Sequence, residues 1–73
     1  MSHDKLAYMA NQIGRFFQSQ KAGTAIASIE DHLRKYWDPH MRQTIAAQLA
    51  EGKIELDPPV RAAVERLRNE KPV

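Results

Sequence analysis

The chain has 73 residues, a length that holds one small domain and excludes a self-contained kinase, Rossmann or hydrolase apparatus. It has no cysteine, so disulfides, thiolate zinc, iron–sulfur ligation and a cysteine nucleophile are all excluded. Eleven Lys and Arg against nine Asp and Glu leave a net charge of +2, a small excess rather than the clustered basic face of a nucleic-acid binder. The apolar runs fall far short of the roughly 20 residues that span a bilayer. The start, Met1-Ser2-His3-Asp4-Lys5, lacks the layout of a secretory signal, so a cytoplasmic protein is expected. A chain this small buries only about 60% of its unfolded surface and gains most from a partner when no staple is present.

Read in chain order, the pattern is all-α: a small bundle of three to four short helices in one helical domain, residues 1–73. The first helix is expected over about 4–19, with Ser2 or Asp4 as its cap and His3 in a mobile start. Leu6, Met9, Ala10, Ile13, Phe16 and Phe17 form its inward stripe. Gly14 inside it costs about 1 kcal/mol relative to alanine, which suggests close approach of another helix there. Residues 18–24 are polar, include Gly23, and read as a turn. A second helix is expected over 23–37, with Ile26, Ile29, Leu33, Tyr36 and Trp37 on one stripe, extended by Ala22 or Ala25. Asp38-Pro39 then reads as an N-cap followed by proline at the first helical position, where a missing N–H costs nothing.

The third helix, 39–51, turns Met41, Ile45 and Leu49 inward and stops at Gly52 in a left-handed conformation. Lys53-Ile54-Glu55-Leu56 alternates like a strand but has no strand partner, so it reads as an extended linker. Asp57-Pro58 repeats the cap-and-proline start. The fourth helix, 58–69, carries Val60, Ala63, Val64 and Leu67 inward, and Glu70 to Val73 form a frayed tail.

Chemistry of its own is scarce. His32 and His40 stand eight residues apart across a helix break, with no HExxH or comparable ligand cluster, so no metal site is expected. Asp38 and Asp57 read as caps rather than catalytic carboxylates. Glycines at 14, 23 and 52 make no phosphate loop. No catalytic, cofactor-binding or metal-ligating residue is expected. Two groups do invite contact with a partner. Tyr8, Asn11, Gln12 and Arg15 fall on the outer face of the first helix, and Tyr, Asn and Arg make specific contacts where Lys and Glu would suit solvent better. His32, Trp37, His40 and Arg42 gather around the second helix junction, where aromatic and basic residues serve as core or interface anchors. Aromatics among basic residues also stack nucleobases, which keeps a small helical nucleic-acid-binding or other protein-interaction regulator as the alternative. Arg61, Arg66, Arg68 and Lys71 read as a solvated rim.

Three blocks then resemble a known family. Lys5-Leu6-Ala7-Tyr8-Met9-Ala10-Asn11-Gln12-Ile13-Gly14-Arg15-Phe16-Phe17 is similar to the opening helix of the delta subunit of NAD-dependent formate dehydrogenase. Ile29-Glu30-Asp31-His32-Leu33-Arg34-Lys35-Tyr36-Trp37-Asp38-Pro39-His40-Met41-Arg42 resembles that family's second block. Leu56-Asp57-Pro58-Pro59-Val60-Arg61-Ala62-Ala63 is similar to its closing helix, and residues 18–25 carry no signature. The resemblance implies an accessory subunit of a soluble, cytoplasmic, molybdenum-dependent enzyme. It implies an alpha subunit holding the bis-molybdopterin guanine dinucleotide and iron–sulfur clusters, and beta and gamma subunits with flavin, further clusters and the NAD site. Formate oxidation would then occur on those chains. The small chain would support assembly, stability or cofactor insertion, with no cofactor of its own and no catalytic residues to carry over.

Overall fold

The computed structural model describes residues 3–69, with side chains from Lys5 onward. Within that range the chain forms four helices and no strand: α1 (His3–Phe16), α2 (Ala22–Tyr36), α3 (Pro39–Ala50) and α4 (Pro58–Asn69). The expected caps Ser2 and Asp4, and the tail Glu70 to Val73, lie outside the described side chains and residues. His3, expected in a mobile start, is instead the first residue of α1.

Helix ends follow local chemistry. α1 stops at Phe16 rather than near residue 19, because its ladder tightens. The Phe17 N–H donates to both the Ile13 and Gly14 carbonyls, and the Gln18 N–H donates to the Arg15 carbonyl at 3.3 Å. Such shortened bonds satisfy orphan carbonyls where a helix ends. α2 begins one residue before its expected start, after Lys21 in extended conformation with no side-chain cap. It ends where Trp37 and Asp38 turn extended, as the following proline requires.

The Asp38 carboxylate accepts from the Met41 N–H at 2.8 Å, so the expected cap is formed. Gly52 has φ of +72°. Around it the Lys53 N–H donates to the Gln48 carbonyl and the Gly52 N–H to the Leu49 carbonyl, the paired bonds of a Schellman stop. Residues 53–57 are neither helix nor strand, in agreement with the linker reading.

α4 packs against all three other helices, most extensively against α2. Its Val60, Ala63 and Val64, spaced i, i+3, i+4, are completely buried. They meet Ile29 and Leu33 of α2, Ile45 and Ala46 of α3, and Leu6 and Ala10 of α1 in one core. Ile54 and Leu56 of the linker pack against its edge. Gly14 lies where α1 crosses α4: a Cβ built there would stand 2.3 Å from Val60 Cγ2. The close approach inferred from that glycine is therefore present, and α4 is the helix that makes it. Glu30 adds a polar tie, pairing with Arg34 at 2.7 Å and with Arg66 of α4 at 3.5 Å.

Candidate partner-docking surface

The four residues read as one outer patch on α1 do not act together. Tyr8 is 64% exposed, and Gln12 and Arg15 are also exposed. Their spacing of four and three residues keeps them on one stripe. Asn11 is half-buried and turned toward the linker instead. Its Oδ1 accepts from the Asp57 N–H at 2.9 Å, and its Nδ2 donates to the Glu55 carbonyl at 3.3 Å. An extended segment leaves its backbone groups without helical partners, and an amide side chain supplies one acceptor and one donor at once. Asn11 is thus a structural clamp across residues 55–57. Asn11→Ala should cost about 1–2 kcal/mol, because it leaves the part-buried Asp57 N–H unmet while the exposed Glu55 carbonyl turns to water. Tyr8→Ala should stay within about 0.5 kcal/mol. Urea denaturation of both variants checks this, and equal midpoints would contradict the clamp.

The second expected group also separates. Trp37 is only 6% exposed and belongs to the core, so it is not available as a surface contact. The reason is geometric: it stands four residues after the fully buried Leu33 and continues that stripe into the bundle. His40 is exposed in the first turn of α3, and its carbonyl accepts from the Thr44 hydroxyl at 2.8 Å. Arg42 is half-buried, with a buried Nε that meets no acceptor among the described residues. No hydrogen bond, ion pair or ring contact among the described residues joins His32, His40 and Arg42 to one another.

His32 belongs to a different assembly. Its ring lies 4.7 Å from that of Tyr36 and 6.4 Å from that of Phe17, and Phe17 meets Phe16 edge-on at 5.0 Å. Four rings thus run in a row from the end of α1 to the end of α2. Phe16 is 80% exposed and Tyr36 73% exposed, which corrects their reading as inward residues. α1 ends at Phe16, on the flank of a stripe already filled by Leu6, Ala10, Ile13 and Phe17. The core position beyond Leu33 is taken by Trp37, which leaves Tyr36 outside. The row was missed because both rings fit an apolar period. The usable signal was the i, i+4 pair of His32 and Tyr36 beside the doublet Phe16-Phe17.

Gln48 was missed as well: it is 6% exposed within α3, with a buried Oε1 that meets no donor among the described residues. The described residues contain no group of three or more His, Asp or Glu placed to hold a metal. No helix among them is long and apolar enough to cross a membrane.

These features describe a small helical body in which Phe16, Phe17, His32 and Tyr36 stand in a row of rings. No curated protein and no solved structure gives a significant match to the chain. A family model does match, over residues 5–64, and its description reads "NADH-dependant formate dehydrogenase delta subunit FdsD". The match takes in α1 from Lys5 onward, α2 and α3 whole, and α4 as far as Val64. With residues 5–64 so matched, the chain belongs to the delta subunit family of NADH-dependent formate dehydrogenase.

Proposed function

We propose that this chain is a non-catalytic accessory subunit that docks in the cytoplasm on the molybdenum-bearing alpha subunit of a formate dehydrogenase complex containing beta and gamma chains. There it supports assembly, stability or insertion of the molybdenum cofactor. The observation that carries the reading is the family match across residues 5–64. Composition supports it: with no cysteine, the chain has no thiolate to offer an iron–sulfur cluster. A body of this size is also a reasonable candidate for stabilisation by mass action on a larger partner.

Deleting the gene tests the supporting role. The alpha subunit from such a strain should be recovered in lower amount, or with less molybdenum per chain, than from the parent. Normal yield and full molybdenum content would contradict the proposal. Lost yield at full content would point to stability, and normal yield at low content to cofactor insertion.

A further inference from the structure

Residues 53–57 carry the pattern of a β-strand that has no sheet. Lys53 to Asp57 runs without a turn or bend between the stop at Gly52 and the start of α4. Lys53 and Glu55 are exposed, while Ile54 and Leu56 are half-buried and pack against the core. That is the two-residue alternation of an extended chain. Asn11 adds a second sign. Its amide donates to the Glu55 carbonyl and accepts from the Asp57 N–H, two groups that flank Leu56 on one edge. One residue of a parallel neighbouring strand makes the same pair of bonds. Asn11 therefore stands where a strand would stand and holds the segment extended.

Successive peptide groups of an extended chain point to opposite edges, so the N–H and C=O groups of Ile54 and Leu56 point away from Asn11. None of these four groups meets a partner among the described residues. Buried backbone groups are nearly always paired, so four unpaired in one row lie open to solvent. We infer that the edge of residues 54–56 opposite Asn11 is a docking site for an extended segment of another polypeptide, which adds to it as a strand through main-chain hydrogen bonds.

The hydrogen-bonding pattern argues for that occupant. Two donors and two acceptors alternate along the edge at strand spacing, and an extended backbone offers the complementary row. Core packing of Ile54 and Leu56 and the Asn11 amide hold the edge in place before a partner arrives, which lowers the ordering cost of binding. Other occupants fit less well. Antiparallel pairing with a second copy that engages both residues sets Ile54 opposite Leu56 and Glu55 directly opposite Glu55. Like charges so placed destabilise a strand pair. The phosphates of a nucleic acid or a lipid surface offer acceptors only, which leaves both carbonyls unmatched.

The site deepens the accessory-subunit reading and rests on it only for the identity of the partner. In the first test the chain is recovered from its native host through a tag, together with its bound protein. Backbone hydrogen exchange is then compared with that of the isolated chain. Slower exchange at Ile54 and Leu56 in a complex with a formate dehydrogenase subunit is expected. The same slowing on a different, identified protein would support the edge and contradict the proposed function. A formate dehydrogenase complex in which both amides exchange as in the isolated chain would overturn the edge and leave the proposed function standing. Slowing that comes from a second copy alone would also overturn the inference, and a chain recovered without any partner would overturn both.

A second measurement separates strand pairing from simple coverage. A synthetic chain with Leu56→N-methylleucine keeps the side chain but loses one open N–H and blocks the edge. It should bind the recovered partner at least about tenfold more weakly than the synthetic parent, with helical content and thermal midpoint unchanged. Ile54→N-methylisoleucine repeats the test at the other open N–H. Glu55→Ala, which alters only an outward side chain, should bind like the parent. A folded N-methyl chain that binds as tightly as the parent would overturn the assignment.

Discussion

Trp37→Ala should remove about 3–5 kcal/mol of stability and lower the urea midpoint of the isolated chain more than any substitution at an exposed ring. Trp37 is 6% exposed and packs with Ile29, Leu33, Ile45 and Val64 in the single core. Truncating a buried tryptophan costs about 3–5 kcal/mol. A domain of 73 residues has a total stability of roughly 4–11 kcal/mol at 0.05–0.15 kcal/mol per residue. One side chain thus accounts for much of the margin. Tyr36→Ala, one residue away but 73% exposed, should change stability by no more than about 0.5 kcal/mol. Urea denaturation followed by far-ultraviolet circular dichroism separates the two. A Trp37→Ala variant with the parent's midpoint would mean that the ring is not part of the core.

Gly14→Ala should destabilise the chain although alanine is the better helix former. In an open helix the change would gain about 1 kcal/mol. Here the new methyl would stand 2.3 Å from Val60 Cγ2, a distance that forces a shift. Val60 is fully buried and β-branched, with little room to turn away. Overpacking of this kind costs typically 1–3 kcal/mol, and at so short a contact the upper end applies, for a net loss of about 1–2 kcal/mol. Val60→Ala alone should also destabilise, by leaving a cavity. Together the two should cost at least about 1 kcal/mol less than their sum, because each relieves the other's defect. Strict additivity, or a stabilised Gly14→Ala, would show that α1 and α4 do not meet at this point.

The helices were legible in the residues because each carries its own punctuation. Asp38-Pro39 announced the start of α3, Gly52 its stop, and Pro58 the start of α4. Gly14 even disclosed a helix crossing, although nothing in its neighbours named Val60 as the residue on the other side. The candidate site was much less legible. Periodicity assigns a residue to a face of a helix, but which face is covered depends on where the other elements lie. Asn11 looked outward until the linker at Glu55 and Asp57 was found lying over it. Phe16 and Tyr36 looked inward because they are apolar in the right period, yet both stand at the last turn of a helix, where the chain leaves and the core position passes to a neighbour. Trp37 took that position from Tyr36. Gln48 gave no signal at all, since a polar residue beside Ala46 and Ala47 reads as solvated until α3 is placed in the bundle.

The same comparison changes where a partner should be sought. Of the two groups picked out by residue type, one loses Asn11 to an internal clamp and the other loses Trp37 to the core. Tyr8 of the first group stays exposed, but the two most exposed rings, Phe16 and Tyr36, stand outside both groups, with His32 as the residue shared between the second group and the row.

The central claim is that this chain works as part of a formate dehydrogenase complex. The most direct measurement is native mass spectrometry of that enzyme, purified from its own host through a tag on the alpha subunit. The expected result is a complex that contains the 8.3 kDa chain. A complex assembled with alpha, beta and gamma chains but never carrying the 8.3 kDa chain, in an intact strain that expresses it, would contradict a resident role.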